Sequence, residues 1–471
     1  MDAKGAIARS SVTPAEKALD RARFGLARTH PALSARHVLH APQIVAVVLL
    51  GGAVWYGFHR ATAAMWDAAH WAALTLFAAF VFVRLFAAAA SMMLAAPSGP
   101  RWSDAAPVYT ILCPLYREAS SVAALVAALD RLDYPADKRD VKLIVEADDG
   151  ATLSAAMALR LPPGFEIVIV PTAQPRTKPK ALNYALARGR GDFVAIYDAE
   201  DAPHPAQLRA ALDAFARDEG LGAVQAPLLI DNADASWIAS QFAAEYSIQF
   251  RGLLPLLAHL KVPFPLGGAS NHFRRAALDE AGGWDPFNVT EDADLGYRLA
   301  RAGWKLDVIA PPTWEEAPAR FGPWLRQRTR WIKGHIQTWL VLMRNPFRTA
   351  RDLGLGGFLW MQLVLGGGLV AACAHAPLLL LVLTAALLPG VVTAPPVDWV
   401  LVIFGYATAS LGALFAAALE RDRRLALSAL TMPLYWPLSS IAAVMAIVEI
   451  LLRPHYWAKT DHGRTRRNTP T

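Results

Sequence analysis

The chain of 471 residues is poor in cysteine, with only Cys113 and Cys373. That scarcity excludes a disulfide scaffold and a thiolate zinc site, and Cys373, set in an apolar run, reads as a buried thiol. Charge is sparse as well. Only 18% of residues are Asp, Glu, Lys or Arg and the net charge is +7. No basic stretch is interleaved with aromatics as a nucleic-acid surface requires, so nucleic acid is not expected as a partner. A cleavable leader is not expected either, because the first apolar run begins near residue 43 and no small-residue cleavage pattern accompanies it. That run reads as a retained span.

What the chain has in excess is apolar side chains, 55% of the total, more than soluble domains carry, so part of it is expected in a lipid bilayer. Runs at 43–59 and 72–96 have about the length a helix needs to cross, and two transmembrane helices are expected within 41–98. Further runs near 354–373, 376–393, 398–418 and 426–452 predict about four more within 354–453. Basic residues gather before the first run (Lys4 to Arg36) and after the last (Arg453 to Arg467), which puts an arm at 1–40 and a tail at 454–471 in the cytoplasm. The arm is either mobile or a short surface helix.

Two features resist this layout. Arg84 interrupts the second run, and either faces other helices or marks a misplaced boundary. Glu420-Arg421-Asp422-Arg423-Arg424 would fall outside, against the positive-inside tendency. Making 354–393 a single pass with a re-entrant piece brings that loop inside but sends the basic tail out. Pro433 and Pro437 leave room for a broken final helix.

Between the apolar ends the texture changes. Short β-branched runs at 108–112, 141–145, 165–170 and 193–197 alternate with helical stretches near 119–132, 151–160, 178–189 and 205–218. Such alternation predicts a doubly wound, Rossmann-like α/β domain whose ligands sit beyond the carboxyl ends of the strands. Polar clusters fall there: Pro114 to Glu118, Glu146-Ala147-Asp148-Asp149 and Asp198-Ala199-Glu200-Asp201, with Lys178 and Lys180 opening a helix between them. Any one is explained by a solvated turn, but acids at two strand ends are harder to dismiss. Residues 236–261 are amphipathic and too polar to span, so they pack on the α/β core or lie in the membrane interface, as does a helix near 320–345.

Asp198 and Glu200, two apart after a strand, can offer hard oxygen ligands to Mg2+ or Mn2+ while nucleotide phosphates complete the shell, with Asp201 the rival ligand. Asp292, in the Thr290-Glu291-Asp292 turn, is a candidate general base. The plainer reading is that Thr290 caps a helix whose acidic first turn complements the helix dipole, and both can hold. Gln327, Arg330 and Trp331 stand at i, i+3 and i+4, presenting an amide, a guanidinium and an indole on one face. Arg330 could clamp a diphosphate and Trp331 stack on a sugar ring; an interfacial anchor is the alternative.

The series Asp148-Asp149, Asp198-x-Glu200, Thr290-Glu291-Asp292 and Gln327-x-x-Arg330-Trp331, over residues 107 to 335, resembles the membrane-bound processive synthases of glycosyltransferase family 2, the cellulose, hyaluronan and chitin synthases. The Gly267 to Arg274 loop is similar to that of bacterial exopolysaccharide synthases. The resemblance implies a GT-A catalytic domain over 105–350 inserted between transmembrane segments, in the cytoplasm at a bacterial inner membrane. It implies that Asp148 contacts uracil, that Lys180 lies near the nucleotide, that Asp198 and Glu200 serve metal and diphosphate, and that Asp292 is the base. Arg330 would face the pyrophosphate, and Gln327 and Trp331 the acceptor. Glu200 departs from the family's second Asp, and the family's Phe-x-Val-Thr gating segment is missing. Trp457, Lys459, Thr460 and His462 form a candidate substitute for it.

The expected activity is inverting elongation of a growing glycan from a UDP-sugar, with partner export subunits conceivable. The rivals are a non-processive transferase to a lipid-linked acceptor and an inactive scaffold or transport subunit.

Overall fold

The computed structural model describes residues 13–93, 102 and 105–457. The β-branched runs form the expected strands: β1 (Tyr109–Leu115), β2 (Arg139–Glu146), β3 (Phe165–Val170) and β4 (Phe193–Ile196). Three more, β5 (Leu221–Gln225), β6 (Asn271–Arg274) and β7 (Lys305–Val308), complete a seven-stranded sheet in the order β3-β2-β1-β4-β6-β5-β7. Pairing is parallel from β3 to β4 and between β5 and β7, while β6 runs antiparallel to both its neighbours. Period-two alternation drives burial on both faces, with Ile111, Cys113 and Leu115 packing on one side and Leu112 on the other.

Strand β6 grows out of the glycine loop that the sequence presents as irregular. Gln225 makes it possible by accepting from the Gly267 N–H (2.7 Å) and donating to the Ala269 carbonyl (2.9 Å), so a buried amide substitutes for ladder bonds at the strand's entrance. The basic arm is not loose where it is described. A capping box between Thr13 and Glu16 starts the Pro14–Thr29 helix. That helix buries Ala22 and Leu26, and Arg23 and Ala22 bond to Gln174 (2.5 Å) and Asn183 (3.3 Å) of the α/β domain.

Among the described residues four helices are long and apolar enough to cross a membrane: Ala41–Arg60, Thr62–Ala87, Pro346–Leu387 and Pro396–Glu420. The runs at 354–373 and 376–393, expected as separate spans, are one helix, because Pro377 is accommodated inside it and the chain turns only after Leu387. Arg84 faces other helices, with its guanidinium 3.6 Å from the centre of the Trp436 ring. The last pair, Arg423–Tyr435 and Leu438–Leu452, bends by 54°. It touches the α/β domain at its start (Arg424 with Asp234, 3.1 Å), middle (Tyr435 with Glu245, 2.9 Å) and end (Glu449 with Lys333, 2.7 Å).

The amphipathic stretch packs on the α/β core, as one of its two readings expects, and also on the apolar helices. Its first helix, Trp237–Ser247, places Ile238 and Phe242 in a cluster with Leu74, Phe77 and Val402 of the apolar helices. After a π-helical stretch at Ile248–Leu253, Phe250, Leu254 and Leu257 join the core under the sheet. This segment is the joint between the two layers.

Helix Glu291–Arg301, which carries Asp292, is tied down by a fully buried pair, Arg298 with Asp294 at 2.7 Å. Arg298 also donates to the Gly283 carbonyl at 2.7 Å and to that of Ala281. Removing one member of a buried pair strands the other charge. Arg298→Met is expected to cost about 3–5 kcal/mol, read as a lower unfolding midpoint of the purified protein, and an unchanged midpoint would show that the pair holds nothing together.

Candidate active site

A cavity of about 340 Å³ opens at the carboxyl ends of β1, β2 and β4, where Leu115, Glu146 and Asp198 reach it. Its opposite wall is the Phe321–Leu342 helix, contributing Gln327, Arg328, Arg330, Trp331 and His335, and its sides are the Gly267–Ala269 loop and the turn 289–293. The volume suits a small-molecule site. Carboxylates outnumber cationic side chains on its lining nine to four, a balance that favours a bound cation.

Lys178 stands at the centre of those charges. Its ammonium lies 2.5 Å from Asp198 and donates to the Gly268 carbonyl at 2.7 Å. Burial pulls its pKa down, but the carboxylates of Asp198, Glu291 and Asp292 outweigh that and hold it well above the usual lysine value. Lys180, expected near the nucleotide, sits one layer behind. It is fully buried and donates to Glu146 (2.8 Å) and the Ala173 carbonyl (3.2 Å), positioning a carboxylate that does reach the cavity. Position in the helix separates the two lysines, and spacing alone did not show which would face out.

Asp198 and Glu200 both line the cavity, whereas Asp201 turns inward and accepts from the Asp198 N–H at 2.8 Å. Asp201 is 2% exposed, and burial together with Asp198 and Glu200 pushes its carboxyl well above the usual range, so it shapes the turn and leaves ligation to its neighbours. No three His, Cys, Asp or Glu groups converge as a metal cage among the described residues. Two hard oxygen donors in an acidic cavity fit a Mg2+ or Mn2+ ion whose remaining ligands are phosphate and water.

Asp292 accepts from the Ala293 N–H at 2.7 Å, and burial raises its carboxyl pKa against the pull of that N–H, Lys178 and Arg330. Its neighbour Glu291 is pushed to about 7 by burial and by Asp292. Thr290 holds the N-cap position, but its hydroxyl does not cap the helix. Its N–H instead donates to Asn288 Oδ1 at 3.0 Å, and a Cβ added at Gly334 would overlap its side chain, so Gly334 lets the Phe321–Leu342 helix close down on the acidic turn.

On that helix Gln327 Oε1 and Arg330 Nε are buried without a partner, polar capacity that a ligand could take up. Trp331 stacks on Tyr246 at 6.1 Å, so one indole face is already spent on protein. Arg328, which the sequence reading passed over, clamps Glu245 through both carboxylate oxygens, at 2.8 and 2.5 Å. Asp148 is absent from the cavity lining and ion-pairs with Arg176, which does line it. Of the gating candidates, Trp457 lines the cavity with the Arg330 guanidinium 5.3 Å from its ring centre. Lys459, Thr460 and His462 lie outside the described residues.

Glu315 and Glu316 were missed altogether. Burial, with Glu200 and Asp198 nearby, pushes Glu315 to about 8. No local signal marks it, because it arrives through a three-stranded sheet in which Thr313–Glu315 pairs with Ala202–Pro203 and Leu228–Ile230.

Residues 106–334 match the family described as Glycosyltransferase like family 2, and these residues carry the parallel-rich sheet at whose strand ends the cavity opens. Among curated relatives, the probable glycosyltransferase YdaM of Bacillus subtilis is 25% identical over 265 residues, covering 54% of this chain and 61% of its own. The beta-monoglucosyldiacylglycerol synthase of Synechocystis is 28% identical over 270 residues, 55% of each chain. The UDP-forming cellulose synthase catalytic subunit of Komagataeibacter sucrofermentans is 28% identical over 257 residues, 53% of this chain and 33% of its own. The chain thus spans about half the length of the first two of these relatives. In fold it is similar to the mannosyltransferase PcManGT of Pyrobaculum calidifontis, solved with GDP-Man and Mn2+, at a TM-score of 0.51 and 21% identity, covering 81% of this chain and 98% of that one.

The two lysines separate experimentally. Lys178→Met is expected to weaken binding of a nucleoside diphosphate about tenfold or more and, by leaving Asp198 among like charges, to lower the unfolding midpoint as well. Lys180→Met is expected to cost about 3 kcal/mol of stability by stranding Glu146, with binding by the folded protein little changed. Calorimetric titration beside thermal unfolding reads both, and the reverse pattern would exchange their roles.

Proposed function

We propose that the chain is an inverting membrane glycosyltransferase that elongates a glycan from a UDP-sugar. The observation that carries this reading is the meeting, in one cavity, of Asp198, Glu200, Asp292, Gln327, Arg330 and Trp331, drawn from positions up to 133 residues apart. Asp198 and Glu200 would hold Mg2+ or Mn2+, which when bound neutralises charge on the leaving diphosphate. Lys178 and Arg330 bind phosphate oxygens. Asp292 takes the proton from the acceptor hydroxyl as that oxygen attacks the sugar's anomeric carbon on the face opposite the departing UDP. One base and direct displacement give inversion. Asp148 with Arg176 would lie toward the base of the nucleotide, and Trp331 with Gln327 toward the acceptor.

In a bilayer the four long helices would cross, and the bent pair would return along the α/β domain. Loop 420–424 then lies on the catalytic side, where Glu420 pairs with Arg251 at 2.9 Å and Arg424 with Asp234, which supports the cytoplasm as that side. A second reading is transfer of a single sugar to a lipid-linked acceptor, and it is supported by the contact of Arg328 and Glu245 on the cavity wall with the Tyr435 hydroxyl of the bent helix pair, at 2.5 to 3.1 Å from one another.

Incubation with a panel of UDP-sugars and Mg2+ or Mn2+ is expected to release UDP, to stop on chelation and to resume when the metal is restored. Asp292→Asn is expected to lower turnover at least about 10²-fold. Because burial raises the Asp292 carboxyl, the rise of activity with pH should lie above the ordinary aspartate range near ~4. Full activity in Asp292→Asn would sink the assignment, and the products' lengths on a sizing column decide between polymer and single transfer.

A further inference from the structure

A second cavity, of about 80 Å³, lies among the apolar helices, and its lining includes Arg84, His375, Tyr406 and Trp436 but no carboxylate. Three of these four residues carry a buried polar atom without a partner: His375 Nδ1, the Tyr406 hydroxyl and Trp436 Nε1. Tyr406 is 7% exposed and Trp436 6%. The Arg84 guanidinium is held by the face of Trp436 at 3.6 Å, and the His375 ring stacks on Trp436 at 5.8 Å and lies tilted 6.1 Å from Tyr406.

Each unpaired buried donor costs roughly 1–3 kcal/mol, and a cation in apolar surroundings costs more. Glu245, beyond the lining, offsets part of the Arg84 charge but is shared with Arg328, so the void still favours something that accepts hydrogen bonds and carries negative charge. Size narrows the choice. The cavity equals the share of two or three waters at ~30 Å³ each, enough for a phosphate group and too little for a sugar ring.

Position narrows it further. Arg84 lies near the end of the Thr62–Met93 helix that leads into the α/β domain, and Trp436 lies at the bend of the last helix pair. Its neighbour Tyr435 bonds to Glu245 (2.9 Å) and Arg328 (3.1 Å), both on the wall of the catalytic cavity. We propose that this second cavity is a binding site for a phosphate group, carried on a membrane lipid, that docks within the apolar helices one side-chain layer from the catalytic cavity. Arg84 supplies the counter-charge, and Trp436 Nε1 and the Tyr406 hydroxyl donate to the oxygens.

Native mass spectrometry of the full chain in an uncharged maltoside detergent tests this, with phosphatidic acid, diacylglycerol of the same acyl chains, and inorganic phosphate as probes. Retention of phosphatidic acid but not diacylglycerol is expected, and inorganic phosphate should compete only weakly if the lipid is the occupant. Equal binding of inorganic phosphate would support the oxyanion site with the free ion in it. Arg84→Gln is expected to weaken retention about tenfold. Tyr406→Phe, which keeps the packing, should weaken it several-fold at an unchanged unfolding midpoint. Undiminished retention in both variants, or equal retention of diacylglycerol, overturns the proposal. Neither readout involves sugar transfer, so failure here is separate from failure of the catalytic reading.

Discussion

The ion pair between Lys178 and Asp198 is the interaction on which the candidate active-site cavity depends. Nine carboxylates share that lining, and like charges gathered out of water repel one another unless a cation stands among them. Lys178 does so, within 2.5 Å of Asp198 and anchored to the glycine loop through Gly268. It links the strand-end acids on one side of the cavity with the acidic turn on the other. The same arrangement leaves a surplus of negative charge that suits a divalent ion and its phosphates.

A second constraint is the joint between the α/β and apolar layers. Trp237–Ser247 packs its Ile238 and Phe242 against the long helices, and the π-helical stretch that follows re-aims the chain so that Phe250 and Leu254 enter the sheet's core. One segment therefore belongs to both cores. Arg328 on the catalytic wall reaches across this joint to Glu245, and Tyr435 closes the contact from the bent helix pair. Those three side chains join the apolar helices to the Phe321–Leu342 wall of the cavity.

Much of the fold was legible because its signals are local. Four β-branched runs became β1 to β4 within a few residues, and the helices between them fell where their apolar periodicity placed them. Asp198, Glu200, Asp292 and the Gln327, Arg330 and Trp331 face were readable because strand ends and helix spacing put them on the same side of their elements. Glu315, Arg328 and Arg176 were not, since what brings each to the cavity is a partner far away in sequence. Whether the apolar runs at 354–373 and 376–393 make one helix or two was not legible for a related reason: a run of apolar residues cannot show whether Pro377 breaks a helix or rides inside it.

The sequence by itself determined the composition of the molecule: an α/β domain between apolar helices, acids at strand ends, and a short series of polar residues at helical spacing. Those features follow from periodicity and residue chemistry, which act over a few positions. Tertiary structure decided which of two lysines enters the cavity, which of three neighbouring acids turns inward, and that the last helix pair returns along the domain. Each of those choices turns on burial and on charges contributed from distant segments. Electrostatics and packing depend on distance in space, which spacing along the chain does not specify.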